Sequence, residues 1–561
     1  MINPSAMSVK SINLFSRAAL SLLQFNLLLA LWMSTLVNIQ FYKTLNALSS
    51  LHGLAGSVFI GATVLLVFAY YLLLLQLLSW RFSAKVVGSI LLVLSAFSSY
   101  FVSQLGIDIN QGQIINVMQT DVHEMLDLIS WQAMQWALWS LILPCAVLGW
   151  LRIKPQPLKT LLLHKLLTSV VALVIMLGIA FAYYSQFAPI FREHRHLKDK
   201  LSPNNTISSL MSYGKRSIHL KPKPLVRYAT DARLQSPTLQ TAHPTQSPIR
   251  VMVLVIGETG RAESFSLNGY GKDTNPELAK LDIVNFSQAA SCGTETAVSV
   301  PCMFSGMPRQ QYDADLAEHR EGLLDIAQRA GYQVTWIDNN SGCKHTCDRV
   351  NLYPIPAAIK QKWCTAEDCF DDILLDSLDH YLKQLALQPK PKNQLIVLHQ
   401  MGSHGPAYYK RYPDSFKKFN PTCDTNAIQN CSHASLINSY DNTILYTDYI
   451  LAGIIKRLQQ QPALQTGMWY VSDHGESTGE HGLYLHGAPY VIAPSQQTHI
   501  PMLMWFSQQW QQQAPQLLPC LKAQQAKPRS QDNLFPSLLS ILDIKTQVIN
   551  PQLDLLSLCR A

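Results

Sequence analysis

Charged residues are scarce in this chain of 561 residues, and they are distributed unevenly. Asp, Glu, Lys and Arg together make up 14% of the sequence, and the first third contains long stretches that lack all four. The remainder has the mixed composition of a soluble α/β domain. The chain is also too long for one ordinary domain. The composition therefore excludes a single soluble domain and predicts a membrane part followed by a soluble part.

Cysteine is nearly absent from the first half of the sequence, where Cys145 lies inside an apolar stretch. No C-x-x-C motif is repeated, so zinc-ribbon ligands are disfavoured. The other cysteines all follow residue 290 and fall in close pairs, which is typical of disulfides and indicates an oxidising compartment. These pairs are Cys292/Cys302, Cys343/Cys347, Cys364/Cys369 and Cys423/Cys431, with Cys520 and Cys559 left as a fifth.

Motifs for nucleic-acid binding are lacking as well. The net charge of +8 suits an anionic partner such as a phosphate-bearing lipid. No zinc ribbon, basic helix or RNA-binding motif accompanies this charge. We therefore expect no nucleic-acid partner.

Five uncharged stretches are each long enough for the roughly 20 residues that a membrane-crossing helix requires. A cleavable signal peptide does not fit, because the first stretch is too long and four more follow it. The predicted spans are Ala18–Tyr42, Gly53–Trp80, Val86–Gly106, Trp131–Leu151 and Leu166–Ile190.

The loops between these spans predict their orientation. Basic residues precede the first span and lie between spans two and three and between spans four and five, so these segments are cytoplasmic by the positive-inside rule. They are Lys10, Arg17, Arg81, Lys85, Arg152, Lys154, Lys159 and Lys165. Everything after Ile190 is then outside the cytoplasm, in agreement with the independent disulfide argument.

The segment between spans three and four is acidic instead. Within it, Asn116, Thr120 and Glu124 are spaced by four residues, so they would share one face of a helix lying along the membrane surface. A solvated polar face would show the same spacing. Residues 191–248 are polar and are predicted to form a bridging helix and an extended linker, whose basic residues meet either lipid phosphates or solvent.

From Arg250 onward, short β-rich runs alternate with helical patterns. This alternation predicts a mostly parallel sheet covered by helices on both faces. Polar motifs follow several of the runs, as Glu258 follows Arg250–Ile256 and Asp473 follows Met468–Ser472. Because sites in such sheets lie beyond the carboxyl ends of the strands, we expect these motifs to meet.

The carboxylate and imidazole side chains in these motifs favour a metal site. Glu258, Asp473 and His474 offer two oxygen ligands and one nitrogen ligand, a combination suited to zinc, and deprotonated Thr296 would complete a four-coordinate site. Metal coordination makes a hydroxyl nucleophilic near neutral pH. Alone, Asp473-His474-Gly475 could also be a helix-capping turn. The segment around Thr296, Ser291–Cys302, could be a disulfide-closed surface loop with incidental threonines.

Further candidates surround this group in the sequence. His404 and His486 lie in glycine-containing turns and could bind a second metal, hold a phosphate or protonate a leaving group. Asn340 and Lys344 are candidates for holding phosphate oxygens or a polar head group, although a lone lysine is often only solvated.

Taken together, the motifs resemble the membrane-anchored phosphoethanolamine transferases that modify lipid A, including the mobile colistin-resistance type, within the alkaline phosphatase and sulfatase superfamily. The resemblance covers nearly the whole chain. The matching stretches are Val255-Ile256-Gly257-Glu258-Thr259, Ser291 through Cys302, Asp338-Asn339-Asn340-Ser341, His399-Gln400-Met401-Gly402-Ser403-His404-Gly405-Pro406-Ala407-Tyr408, Ser435-Leu436-Ile437-Asn438-Ser439-Tyr440-Asp441-Asn442 and Ser472-Asp473-His474-Gly475-Glu476-Ser477.

The resemblance implies a role for each matching residue. It implies one tightly bound zinc ion at Glu258, Thr296, Asp473 and His474, with room for a second ion. It makes Thr296, not Thr294, the residue that carries phosphoethanolamine. Substrate or additional zinc would be contacted by Asn340, Lys344, His404 and His486, and lipid substrate by Asn116, Thr120 and Glu124. Disulfides are implied at Cys292–Cys302, Cys364–Cys369 and Cys423–Cys431, whereas Cys343–Cys347 is found in only some members of the family.

The resemblance also implies the reaction. Phosphoethanolamine would pass from phosphatidylethanolamine to Thr296, with release of diacylglycerol, and then to a phosphate of lipid A, which gives polymyxin resistance. We expect a monomer in the bacterial inner membrane, in contact with membrane lipids. The expected parts are a five-span domain (residues 1–190), a bridging segment (191–248) and a periplasmic catalytic domain (249–561). Alternatives are transfer to a core sugar or periplasmic glucan, a membrane-anchored phosphatase or sulfatase, and a non-enzymatic membrane sensor.

Overall fold

The computed structural model describes residues 18–120, 122–219, 223–235, 248–365 and 368–559. The chain forms two compact units. The first contains the residues up to Gln104 together with Asp108–Asn110 and Gln132–Ser212, and the second contains Leu105–Ile107, Gln111–Trp131 and the chain from Tyr213 on. The segment Gln111–Trp131, although it lies between two spans in the sequence, thus belongs to the second unit. The boundaries predicted at residues 190 and 248 stay a prediction.

Among the described residues, five helices are long and apolar enough to cross a membrane, as predicted. They are Leu22–Leu48, Gly53–Leu78, Ala84–Leu105, Trp131–Trp150 and Leu158–Ala182. The first contains a 3-10 turn at Leu36–Asn38. It begins at a capping box, in which Ser21 and Gln24 each bond the other's backbone N–H and so satisfy the free N–H groups at the helix start.

The bounds predicted for the fifth span were wrong. The helix begins at Leu158 and ends at Ala182, and a separate helix, Tyr184–Glu193, follows it. The prediction started only after Lys165 because a charged residue was taken to end the apolar stretch. Lys165 is instead buried in the helix, where its ammonium donates to the carbonyl oxygens of Gln76 and Ser79 at 2.5 and 2.7 Å. Those carbonyls lie at the end of the second span, where a cation is favourable.

The second unit is built on an eight-stranded sheet, which confirms the predicted α/β fold. Its strands in chain order are β1 (Arg250–Gly257), β2 (Val284–Ala290), β3 (Gln333–Asp338), β4 (Asn351–Leu352), β5 (Gln394–His399), β6 (Gln465–Ser472), β7 (His499–Phe506) and β8 (Arg529–Ser530). Their spatial order is β8-β2-β7-β6-β1-β5-β3-β4. Only β7 pairs antiparallel with its neighbours, β2 and β6, and the other pairs are parallel.

Both faces of the sheet are covered, because strand β1 is buried from Val251 to its end. On one face, Met252, Leu254 and Ile256 join a hydrophobic cluster with residues of the helices Thr296–Ser305, Leu323–Arg329 and Leu534–Ile541. On the other face, the helix His433–Gln459 packs on β6 and on the helix Asp372–Ala386. Strands buried on both faces read as continuous apolar runs, which is why β1 has no polar alternation.

Five disulfides form within the described part of the second unit. Four of them connect cysteines that are close in the sequence. The fifth connects Cys520 to Cys559, which are 39 residues apart. The four short pairs are Cys292–Cys302, Cys343–Cys347, Cys364–Cys369 and Cys423–Cys431. Two of them flank segments of the candidate site, namely the loop before the helix Thr296–Ser305 and the turn that contains Lys344.

Candidate metal centre

Two central strands end side by side and place two carboxylates at the same edge of the sheet. Glu258 follows the last residue of β1 and Asp473 the last residue of β6, and these last residues, Gly257 and Ser472, are register partners. The backbone N–H of Asp473 donates to the Gly257 carbonyl at 2.9 Å. Gly402 has φ +55° and passes so close to Glu258 that a β-carbon there would lie 2.7 Å from its carbonyl oxygen. The pairing of the two strand ends and the close approach of Gly402 therefore bring the predicted strand-end motifs together.

Glu258, Asp473 and His474 form one buried group, called the metal group below, whose ligand atoms all lie within 4.8 Å of one another. Thr296 reaches the same group. Its hydroxyl oxygen lies 3.1 and 3.3 Å from the two Glu258 carboxylate oxygens and 3.3 Å from Nε2 of His474. Thr296 is also the first residue of the helix Thr296–Ser305, so the backbone N–H groups of that turn favour negative charge on its oxygen.

The other threonine of the loop, Thr294, is directed elsewhere. Its hydroxyl donates to the carbonyl oxygen of Ala488 at 2.7 Å, and its own carbonyl accepts from the N–H of Gly487 at 2.8 Å. Of the two threonines, the one that contacts Glu258 and His474 in this structure is Thr296.

The imidazole orientation fits a cation at the centre of this group. Nδ1 of His474 lies 2.8 Å from the Gly475 carbonyl, which can only accept, so Nδ1 carries the proton and Nε2 is left as the coordinating atom. Nε2 faces Oε1 of Glu258 at 3.4 Å and Oδ2 of Asp473 at 3.3 Å. Asp473 Oδ2 is buried without a hydrogen-bond partner among the described residues. Oxygen, oxygen and nitrogen ligands with an unsatisfied buried oxygen suit a metal such as zinc.

The charges in this group are unbalanced without a cation. Burial raises the pKa of Asp473, and the nearby Glu258 carboxylate raises it further. Burial lowers the pKa of His474, but the Asp473 and Glu258 carboxylates outweigh it and raise this pKa to about 10. For Glu258, burial is outweighed by the hydrogen bond to His474 and the charges of the neighbouring histidines, so its pKa is lowered. Two buried carboxylates close together favour a bound positive charge, whether proton or metal.

Asn340, predicted as a substrate contact, orients a metal-group residue in this structure. Its side-chain amide donates to Oε2 of Glu258 at 2.9 Å and to the Gln400 carbonyl at 2.7 Å. Lys344 lies in the turn closed by Cys343–Cys347, and its ammonium donates to Ser341 at 3.0 and 3.1 Å. It also lines a cavity of about 90 Å³, together with Ala297 and Val298 of the helix that begins at Thr296.

The two predicted histidines stand in a row beside the metal group. The ring centroids of His474 and His486 are 4.4 Å apart, and those of His486 and His404 are 5.8 Å apart. Nδ1 of His486 lies 3.2 Å from Oε2 of Glu476, a carboxylate that is fully buried. The structure therefore brings both histidines to the group, where either could bind an ion or donate a proton.

The predicted lipid-contacting residues lie in the segment Gln111–Trp131. Thr120 donates to the Asn116 carbonyl at 2.7 Å, within one turn of the chain. Glu124 belongs to the helix Val122–Asp127, and its side chain lies outside the described residues. Gln113, which the sequence did not single out, contacts the loop that carries His486, because its amide donates to the Gly487 carbonyl at 3.1 Å.

Arg411 is a second residue that the sequence did not reveal. Its side chain is 1% exposed and forms ion pairs with Asp127 and Asp368. Its Nε donates to the carbonyl oxygen of His404 at 2.9 Å. One buried guanidinium therefore joins the segment Gln111–Trp131, the turn after Cys364 and the loop that carries His404.

Gln531 links the loops around the metal group. Its amide nitrogen donates to the carbonyls of Ser472 and Asp473 at 2.8 and 2.7 Å. Its oxygen accepts from the Cys292 N–H at 2.7 Å and from the Ser299 hydroxyl at 2.9 Å. The Thr296 loop and the Asp473 turn are thus held together by one amide. No pattern in the sequence marks this glutamine.

Two family models match the chain. The model described as "Sulfatase" matches residues 250–544 and that of "Phosphoethanolamine transferase EptA/EptB" matches residues 66–218. The fold and the buried metal-ligand group therefore define a membrane-anchored enzyme of the alkaline phosphatase and sulfatase superfamily.

Relatives match over almost the full length. Phosphoethanolamine transferase EptA of Escherichia coli K12 is 41% identical over 98% of each chain. Phosphatidylethanolamine transferase Mcr-1 of E. coli is 36% identical over 86% of this chain and 88% of its own. The solved lipooligosaccharide phosphoethanolamine transferase A of Neisseria meningitidis superposes with a TM-score of 0.90 at 36% identity, covering 97% and 99% of the two chains. The chain belongs to the phosphoethanolamine transferase family, as an inner-membrane enzyme with a periplasmic catalytic domain.

We predict that Arg411→Ala lowers the midpoint of thermal unfolding of the full-length protein by more than about 5 °C, because it leaves two carboxylates without their buried partner. Lys410→Ala is the matched control. Lys410 also pairs with Asp127, at 3.0 Å, but its side chain is 28% exposed. We expect a shift within about 2 °C for this variant. Equal shifts in the two variants would show that the burial of Arg411 contributes nothing to the thermal stability of the protein.

Proposed function

We propose that this enzyme transfers phosphoethanolamine from phosphatidylethanolamine to a phosphate of lipid A through a phosphoethanolamine-Thr296 intermediate. The observation that carries the proposal is the Thr296 hydroxyl, which lies at a helix N-terminus and within 3.3 Å of Glu258 and His474. A buried hydroxyl between a metal-ligand group and a helix start is the arrangement that a nucleophile requires. The product masks negative charge on lipid A, which weakens the attraction of cationic peptides such as the polymyxins.

Glu258, Thr296, Asp473 and His474 would hold the zinc ion. When bound, the ion lowers the pKa of the coordinated hydroxyl and offsets charge on the phosphoryl oxygens. Asn340 fixes one carboxylate of the set, since it donates to Glu258 at 2.9 Å. His404 and His486 lie beside this set, where a second ion would find nitrogen ligands.

In the first half-reaction, the deprotonated Thr296 oxygen attacks the phosphorus of the donor in line. The bond between this oxygen and phosphorus forms, and the phosphorus–oxygen bond to diacylglycerol breaks. His404 or His486 supplies the proton that the departing oxygen takes up. In the second half-reaction, an oxygen of a lipid A phosphate attacks the same phosphorus. The bond to Thr296 then breaks, which restores the deprotonated Thr296 oxygen, and the histidine that gave up its proton takes one from the attacking phosphate.

Both substrates are lipids, which accounts for the membrane anchor. Restricting the catalytic domain to the bilayer surface raises its effective concentration near them. We assign lipid contact to Asn116, Thr120 and Glu124, and contact with the phosphate or head group to Lys344. The names of the relatives support these substrate classes: Mcr-1 of E. coli is a phosphatidylethanolamine transferase, and a 27% identical E. coli relative is a Kdo(2)-lipid A phosphoethanolamine 7''-transferase. The proposed enzyme acts as a monomer.

We predict that lipid A from cells expressing the wild type gains phosphoethanolamine and that Thr296→Ala abolishes this gain. Mass spectrometry of extracted lipid A measures the effect, and peptide mass mapping should place a phosphoethanolamine adduct on Thr296. Thr294→Ala is the matched control in the same loop. It should retain most of the activity, because its hydroxyl bonds Ala488 and not the metal group.

Three other results would contradict the proposal. An adduct on Thr294 would overturn the assignment of the nucleophile. Unmodified lipid A with a modified core sugar or glucan would change the acceptor. Release of inorganic phosphate or sulfate from small esters without lipid modification would indicate a hydrolase.

We predict that the purified protein contains zinc and that His474→Ala loses it, because the imidazole supplies the only nitrogen ligand of the proposed set. Elemental analysis of the full-length protein measures the stoichiometry. His481→Ala is the matched control, since His481 is exposed and lies seven residues further along the chain. It should keep wild-type zinc. Equal zinc in both variants would exclude His474 as a ligand.

A further inference from the structure

Glu295, which immediately precedes Thr296, has a buried carboxylate that the mechanism above does not use. The residue is 6% exposed, and Oε2 has no hydrogen-bond partner among the described residues. Glu295 is the N-cap of the helix Thr296–Ser305, yet its side chain makes no capping hydrogen bond. Its carbonyl begins the helix by accepting from Val298 and Ser299 at 3.1 and 2.9 Å. The backbone of Glu295 therefore stabilises the helix start, whereas Oε2 of its carboxylate forms no hydrogen bond within the described residues.

The position of this carboxylate is nevertheless fixed. The preceding residue, Thr294, is held to Gly487 and Ala488 through its carbonyl and hydroxyl. A β-carbon at Gly487 would lie 3.6 Å from Oε2 of Glu295 and 2.0 Å from the Gln113 amide nitrogen. Oε2 of Glu295 thus lies close to the backbone of Gly487, the residue that follows His486 and that Gln113 also contacts.

A buried carboxylate without a partner is costly unless it takes up a proton or a cation or a donor arrives to satisfy it. The donor head group carries such a cation. Its ammonium is separated from the phosphorus by an oxygen and two carbons, and four bonds of about 1.5 Å reach at most roughly 5 Å. Glu295 and Thr296 have neighbouring Cα atoms about 3.8 Å apart. Because Glu295 is bonded directly to Thr296, the ammonium is the cationic group of the donor that a phosphorus at the Thr296 oxygen brings to this part of the site.

We propose that the Glu295 carboxylate binds the ammonium group of phosphoethanolamine, both in the lipid donor and in the threonine-bound intermediate, and so selects amine-bearing head groups. This inference rests on the proposed transfer through Thr296. A charge-assisted hydrogen bond in a buried site also orients the head group, so that its phosphorus faces Thr296 and the diacylglycerol oxygen points away.

The test compares two donors that carry the same acyl chains, phosphatidylethanolamine and phosphatidylglycerol, whose head group has hydroxyls in place of the ammonium. The full-length enzyme is assayed for diacylglycerol release, and the intact mass of the protein reports the adduct. We expect the wild type to prefer phosphatidylethanolamine. Glu295→Gln should lose about 10- to 100-fold of this preference, mainly through a higher KM for phosphatidylethanolamine, while its rate with phosphatidylglycerol stays unchanged or rises.

Glu277→Gln is the matched control, because Glu277 is a half-exposed glutamate paired with Lys280 at the surface. It should keep the wild-type preference. Zinc content and the midpoint of thermal unfolding, measured on every variant, show whether Glu295→Gln is folded. An unchanged donor preference in Glu295→Gln would overturn the inference, and so would loss of zinc, which would make Glu295 a metal ligand. A wild type that forms no adduct from phosphatidylethanolamine would instead refute the proposed function itself.

Discussion

Two carboxylates and an imidazole, buried with their ligand atoms within 4.8 Å of one another, need a positive charge between them. Much of the surrounding structure holds these groups together against the repulsion between the two carboxylates. The paired ends of β1 and β6 fix Glu258 and Asp473 through the backbone, Asn340 fixes one carboxylate, and the Gly475 carbonyl fixes the imidazole. A metal ion bound there would satisfy the three groups together, and Thr296 is already beside it.

The loops that complete the site are held by long-range polar contacts. Gln531 joins the Thr296 loop to the Asp473 turn, and Arg411 joins the His404 loop to the segment Gln111–Trp131. That segment lies between two spans in the sequence but packs in the unit that contains the candidate metal centre. Within this unit, the segment and the loops of the candidate site are therefore coupled by buried contacts.

Much of this organisation could be predicted from the sequence because its signals are local. Apolar stretches gave the number of spans, and alternating patterns gave the parallel sheet with polar motifs at strand ends. The choice between Thr294 and Thr296 could not be made from spacing, since it depends on which hydroxyl turns towards Glu258. Arg411 and Gln531 were missed for a related reason: each contacts residues far away in the sequence, and neither belongs to a recognisable local pattern. The fifth span was misplaced because Lys165 is satisfied by carbonyls of another helix.

The most direct test of the central claim is anomalous X-ray diffraction from crystals of the full-length protein, recorded on both sides of the zinc absorption edge. We expect a peak that appears only above the edge, at about 2.0–2.2 Å from ligand atoms of Glu258, Thr296, Asp473 and His474. A zinc peak bound only by His404 and His486, or no peak at these four residues in active protein, would contradict it.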